Sequence, residues 1–230
     1  NKKILVTGIT SGLGKYIHNN IPNSIGLTRE NRHQLLNDDY DLIIHCAFSN
    51  ERMESIDDYY EFIDGSILLT NDLVKVKHKK FIYISSLEVY NKPFTGYRFG
   101  KLCSEAIVNK KANNPLILRI PAMLGVDIRK NTVMKMLVDD KPKLTLSPDS
   151  TFNYILHSDL LNFISESEDK TGILNFISDG NITLKKVNEI FNGNPIWGDY
   201  TYITKEVDGI KLKTSEEVVT EFKKLIKDSV

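Results

Sequence analysis

Tyr97 and Lys101 stand four residues apart in "YRFGK", and Tyr97 follows Ser86, the second serine of "FIYISS", by eleven positions. On a helix, positions i and i+4 share a face, so the phenol and the ammonium would project together. A free phenol titrates near pH 10, and a neighbouring positive charge favours its phenolate. Such a group can exchange a proton with a substrate hydroxyl. Ser86, at the C-terminal end of the preceding strand, could hydrogen-bond the same oxygen. The Y-x-x-x-K spacing is a weak signal by itself in a lysine-rich chain with ten tyrosines. A surface tyrosine and lysine on an amphipathic helix is the bland alternative, and only the surrounding elements decide between the two.

A second constellation opens the chain. "ILVTGITSGLG" runs from a short apolar stretch into Gly8, Gly12 and Gly14. A glycine turn between strand and helix lets a pyrophosphate lie against backbone N–H groups at the helix N-terminus. Gly8 can make the sharp turn, Gly12 removes a Cβ where phosphates approach, and Gly14 lets the helix pack closely on the strand. Thr10 and Ser11 can add hydroxyl donors, and Leu13 belongs to the same loop. The G-x-x-x-G-x-G spacing differs from the G-x-G-x-x-G dinucleotide fingerprint. No G-K-[ST] follows, which excludes a P-loop. Placement after the first strand and before a helix favours a dinucleotide cradle over an ordinary glycine-rich turn. Bound there, a nicotinamide would supply the hydride that makes the Tyr97 proton useful.

The tip of the second strand, "GLTRE", offers Thr28 and Arg29 where an NAD-preferring domain commonly places an acid for the adenosine ribose. Arg29 suits a 2′-phosphate and favours NADP(H), whereas the adjacent Glu30 keeps NAD(H) open.

These residues must be held by alternating strands and helices. Strands are expected at Ile4 to Thr7, Ser24 to Thr28, Leu42 to Cys46, Phe81 to Ser85, Leu116 to Ile120 and Ile173 to Ile177. Helices are expected near Gly12 to Asn19, Ile56 to Val76 and Phe99 to Lys111. Alternation of this kind predicts βαβ units and a parallel sheet, and strands apolar on both faces predict helices on both sides. The link Arg29 to Asp41 is too short for a further complete βα unit. The expected architecture is a doubly wound α/β Rossmann sheet with a small C-terminal substrate lobe. Residues 1–122 and 150–180 would form the dinucleotide domain, and 123–149 with 181–230 the lobe.

Composition narrows the partners. Thirty basic residues balance thirty acidic ones among 230, so no overall field draws the chain to nucleic acid or an anionic membrane. Cys46 and Cys103 lack metal or redox spacing. No apolar run reaches membrane-spanning length, and Lys2-Lys3 leads directly into a strand without a leader pattern. A cytoplasmic protein is expected. His157 and Asp159 in "LHSDL" have no third ligand nearby, so no metal site is expected, and Ser158 or Asp159 would cap the following helix. His45 reads as a buried strand residue. The acidic stretch "MESIDDYYEFID" reads as a solvated helix face.

Taken in order, these segments resemble the extended branch of the short-chain dehydrogenase/reductase superfamily, the NAD(P)-dependent nucleotide-sugar epimerases, dehydratases and reductases, in a shortened member. "DLIIHCA", "FIYISSLEVY", "YRFGKLCSE", "LRIPAMLG", "FNYILHSDL" and "NFISDGNITLKKVNEI" each resemble a family segment. The resemblance implies Tyr97 as acid/base, Lys101 on the nicotinamide ribose and Ser86 on the reacting oxygen. It places Cys46, Ala47 and Pro121 along the cofactor and Glu105 at the end of Y-x-x-x-K-x-x-x-E. Arg119 is expected to be structural or at the pocket edge. It also implies a homodimer formed by the helices near 56–76 and 99–111, and a sugar or nucleotide-sugar substrate. The chain departs from the pattern at Gly100, where serine usually precedes the lysine, and at Phe152-Asn153, where Arg-Asp is usual. Its glycine spacing resembles the compact branch. A dinucleotide-binding module without catalysis, serving as redox sensor or scaffold, is the competing function; its usual mark is loss of the tyrosine or lysine.

Overall fold

The computed structural model describes residues 2–49, 54–91 and 94–228. Two compact units are present, the chain up to Arg119 with Ile164–Leu174, and Ile120–Phe163 with Asn175–Val230.

The first unit is built from β1 (Ile4–Thr7), α1 (Gly12–Asn20), β2 (Ile25–Leu27), α2 (Arg32–Leu35), β3 (Asp39–His45), α3 (Ile56–Ile63), α4 (Leu69–Leu73), β4 (Lys77–Ser86), α5 (Gly96–Lys111) and β5 (Pro115–Ile120). One π-helical turn, Asp64–Leu68, joins α3 to α4, and a 3-10 turn, Leu87–Tyr90, follows β4. Consecutive residues Leu5 and Val6, Ile43 and Ile44, Phe81 to Tyr83, and Leu116 to Leu118 are all fully buried. Adjacent strand positions point to opposite faces, so both faces of this sheet are covered. One face packs Leu5, Ile43, Phe81, Tyr83 and Ile117 with Leu69 and Leu73 of α4 and Val108 of α5. Helix starts follow local chemistry. Ser55 and Asp58 form a capping box at α3, and the Thr95 hydroxyl accepts from the Arg98 N–H at α5.

The remaining elements are β6 (Ala122–Leu124), α6 (Thr132–Val138), β7 (Thr151–Phe152), β8 (Tyr154–Leu156), α7 (His157–Ser165), β9 (Gly172–Asp179), β10 (Ile182–Thr183), α8 (Leu184–Phe191), β11 (Ile210–Thr214) and α9 (Ser215–Lys227). In the second unit, Leu124, Met136, Tyr154, Leu156, Leu184, Val187, Val219 and Phe222 share one core. α7 begins at His157 itself, so Ser158 and Asp159 lie inside its first turn rather than capping it.

The seven-stranded sheet has the order β11-β9-β5-β4-β3-β1-β2, with β1 parallel to β2 and β3, β3 parallel to β4, and β9 parallel to β11. The expected doubly wound parallel sheet is met. Among the described residues no strand lies beyond β2 in this order, and the segment between β2 and β3 holds only the single turn of α2. Strand order therefore reverses between β1 and β3. Ligands in open parallel sheets bind outside the carboxyl ends of the strands at such a reversal. Among the described residues no helix is long and apolar enough to cross a membrane.

Candidate active site

Thr7 ends β1, with Gly8 next in the chain, and His45 ends β3, so both strand ends stand at the sheet's reversal point. Gly8 has φ +75°, and a Cβ there would lie 2.9 Å from the Ala47 nitrogen. Any other residue would strain the turn and push the two strand ends apart. Gly12, with φ +60°, faces open space where a Cβ would project, and the first turn of α1 carries no acidic side chain. Gly14 lies against the Thr7 and Gly8 backbone, which seats α1 on the loop. An open cradle without acidic side chains at a helix N-terminus fits a pyrophosphate.

A buried polar relay fixes the strand ends. Thr7 Oγ1 accepts from the Cys46 and Ala47 N–H groups at 3.1 and 3.0 Å and lies 2.8 Å from His45 Nδ1. Those two bonds fill its lone pairs, so the hydroxyl must donate to Nδ1. His45 Nε2 then carries the proton and donates to Thr70 Oγ1 at 2.8 Å, and Thr70 donates to the Ser66 carbonyl at 2.6 Å. Burial pulls the His45 ring down to about 3, with the Lys101 charge adding to the effect. The histidine is therefore neutral, in one tautomer, and a buried strand residue. Ser66 lies on the π-helical turn, and its hydroxyl accepts from the Ser49 N–H at 3.1 Å. The turn thus holds the segment after β3 that carries Phe48.

Ser86, Tyr97 and Lys101 converge in the same unit. The Ser86 hydroxyl lies near enough to the Tyr97 phenol to favour its ionised form. Lys101 is buried, donates to the Ile84 carbonyl at 2.9 Å, and sits 4.2 Å from the Phe48 ring centroid, with Tyr83 at 5.2 Å and Tyr97 at 5.8 Å. Burial brings its ammonium down to about 7, with the neighbouring Cys46 and Glu105 opposing the shift. Burial also raises the Tyr97 phenol, and Ser86 partly opposes this. The protein by itself thus keeps the phenol protonated, and a phenolate would need further positive charge at the site. Phe48 stands edge-on to Tyr97 at 5.0 Å and to Phe62 at 5.7 Å. These rings explain Gly100: a Cβ there would meet Phe62 at 2.6 Å and Phe48 at 3.0 Å.

Glu105, one turn beyond Lys101, is gripped by Arg119 through Nε at 3.0 Å and Nη2 at 2.7 Å, and it accepts from the Ser85 hydroxyl. Arg119 also donates to the Tyr90 hydroxyl at 2.7 Å. This tie locks α5, β4 and β5 and gives Arg119 a structural role.

Gly8, Thr10, Ser11, Gly12, Leu13 and Gly14 fall on the β1–α1 junction, with Cys46 and Ala47 opposite. At the β2 tip, the Thr28 N–H donates to Asn31 Oδ1 at 2.7 Å, and the nearby Thr28 hydroxyl holds the Glu30 carboxyl below its ordinary value. Arg29 is four-fifths exposed and 3.5 Å from Glu61. Pro121 belongs to the second unit. Among the described residues no cluster of three or more His, Cys, Asp or Glu could hold a metal ion. His157 is buried, its ring brought down to about 4, and Asp159 pairs with Lys213 at 3.0 Å. Sequence reasoning did not single out Phe48, Thr70 or Ser66. A small-residue run can hint at close packing, but a π-turn has no periodicity of its own.

No protein-family profile and no curated protein matches the chain. Solved structures do resemble it. UDP-glucuronic acid 4-epimerase from Bacillus cereus, in complex with UDP-glucuronic acid and NAD, superposes with TM-score 0.78 at 16% identity over 99% of this chain and 100% of that one. dTDP-4-dehydrorhamnose reductase from Bacillus anthracis, in complex with NADP, gives 0.74 at 15% identity over 96% and 98%. UDP-N-acetylglucosamine 4-epimerase from Methanobrevibacter ruminantium gives 0.74 at 16% identity over 100% and 99%. The chain has the fold of these nucleotide-sugar epimerases and reductases.

Proposed function

We propose that the chain is an NAD(P)-dependent epimerase or reductase of a nucleotide-linked or related sugar. The observation that carries this reading is the convergence of Ser86, Tyr97 and Lys101 in the unit that also holds the glycine cradle. The Gly8–Gly14 loop would hold the dinucleotide pyrophosphate, with Cys46 and Ala47 beside it. A bound nicotinamide would supply a hydride acceptor or donor and, in its oxidised form, a positive charge. Tyr97 then exchanges a proton at the substrate oxygen, and Ser86 donates a hydrogen bond to that same oxygen. Lys101, on the nicotinamide ribose, adds charge that favours the phenolate. Residues 123–149 and 181–230 contribute the substrate lobe. Arg29 at the β2 tip supports a preference for NADP(H) through a 2′-phosphate. Exposed Ile56, Tyr59 and Tyr60 on α3 and Phe99 on α5 support a homodimer through these helices.

Isothermal titration with NADPH and NADH, followed by turnover on a panel of nucleotide sugars, tests the reading. Binding of either dinucleotide with turnover of at least one sugar nucleotide supports it, and absence of dinucleotide binding refutes it. The NADPH:NADH affinity ratio should fall in Arg29→Ala, and an unchanged ratio removes the arginine argument. A single species of one-chain mass in sedimentation would remove the dimer.

A further inference from the structure

Arg98, directly after Tyr97, is nine-tenths buried, an expensive place for a guanidinium. Its Nη2 donates to Glu88 Oε2 at 3.1 Å, while Nε and Nη1 are buried with no partner among the described residues. A buried cation left partly unsatisfied calls for a reason beyond packing. Glu88 supplies one. The second oxygen of its carboxylate accepts from Asn91 Nδ2 at 3.0 Å, and its own N–H donates to Ser86 Oγ at 3.1 Å. With Ser86 Oγ accepting that bond, the hydroxyl hydrogen is free to point at Tyr97.

We propose that Arg98 is a positioning residue for the Ser86–Tyr97 pair, clamping the Glu88 turn that aims the Ser86 hydroxyl and cancelling the Glu88 charge beside the phenol. The inference rests on the reading of Tyr97 as the acid/base. The other groups around Tyr97 are Lys101 on its own helix, Ser86 and Tyr83 on β4, and Phe48 after β3. Cys46 and Glu105 act at one remove, through Lys101. Glu88 is the acid that raises the Tyr97 phenol by its charge. Unscreened, a carboxylate near a phenol opposes the phenolate that proton exchange requires.

The test is a 13Cζ-tyrosine NMR titration of full-length protein, with Tyr97→Phe assigning the resonance, alongside the pH dependence of turnover. In Arg98→Gln the Tyr97 midpoint should rise by about one pH unit, and the alkaline limb of the turnover profile should rise with it. Glu88→Gln should lower the midpoint, and the double variant should return towards wild type. Glu88→Gln also keeps the test open if Arg98→Gln fails to fold, since it retains the guanidinium. An unchanged midpoint in every folded variant, including one in which Tyr97 never titrates below pH 11, overturns the inference. The NMR arm needs no turnover. Loss of the functional reading would show as full activity in Tyr97→Phe while the midpoints still move, and is thereby separated from failure of the Arg98 inference.

Discussion

Replacing Gly100 by alanine sets two effects of opposite sign against each other. Gly100 lies inside α5, where alanine is worth about 0.5–1 kcal/mol over glycine. Against this, the new Cβ would stand 2.6 Å from Phe62 Cζ and 3.0 Å from Phe48 Cζ, well inside the optimum of about 3.5–4.0 Å between carbons. Phe62 is buried on α3 and in edge contact with Phe48, so neither ring can retreat without moving the other. Overpacking of this kind costs about 1–3 kcal/mol. The balance is a net loss of about 1 kcal/mol, which for a chain of this length lowers Tm by about 2–4 °C. Phe48 also lies 4.2 Å from the Lys101 ammonium and 5.0 Å from Tyr97, so its displacement should reduce kcat more than dinucleotide affinity. Calorimetry and turnover on Gly100→Ala, with Gly100→Ser as companion, measure both. A Tm above wild type with unchanged kcat would refute the reasoning, because it would mean that the rings yield freely.

Lys101→Met should raise Tm by about 2–4 °C while abolishing turnover, because a cation whose ammonium is brought down to about 7 by burial is held against its solvation preference; a lower Tm would show that its contacts to Ile84 and Phe48 dominate. His45 and His157, brought down by burial to about 3 and about 4, stay neutral in the folded chain while the unfolded chain takes up protons below about pH 6.5. Stability should therefore fall with acidification from about pH 6.5 towards 4, by about 1.4 kcal/mol per pH unit for each ring at most. Urea midpoints at pH 7 and pH 5 check this, and equal midpoints would contradict it.

Much of the fold was legible because strands apolar on both faces leave few alternatives. The expected limits of β1 match those observed, and the short link from Arg29 to Asp41 correctly left no room for a further complete βα unit. The region of Ile56 to Val76 reads as one helix by periodicity, yet it breaks at Asp64–Leu68 into a π-turn. That break goes with side-chain bonds from Thr70 to His45 on β3 and from Ser66 to Ser49 in the segment after it, which no local pattern encodes. Gly100 looked like a departure from a motif. Its cause is two aromatic rings brought in from elsewhere in the chain, Phe48 and Phe62. The segments forming the second unit were least legible, since β7 and β10 have two residues each and pair only through tertiary contact. Arg98 drew no notice because an arginine on a helix is ordinarily a solvated residue.

The most direct test of the central claim compares Tyr97→Phe with wild type in turnover and in dinucleotide affinity on the same preparations. The change removes only the hydroxyl near Ser86 and leaves the ring against Phe48. Removal of a positioned acid/base should lower kcat by about 100-fold or more, with dinucleotide affinity essentially unchanged. Full turnover in Tyr97→Phe would contradict the account.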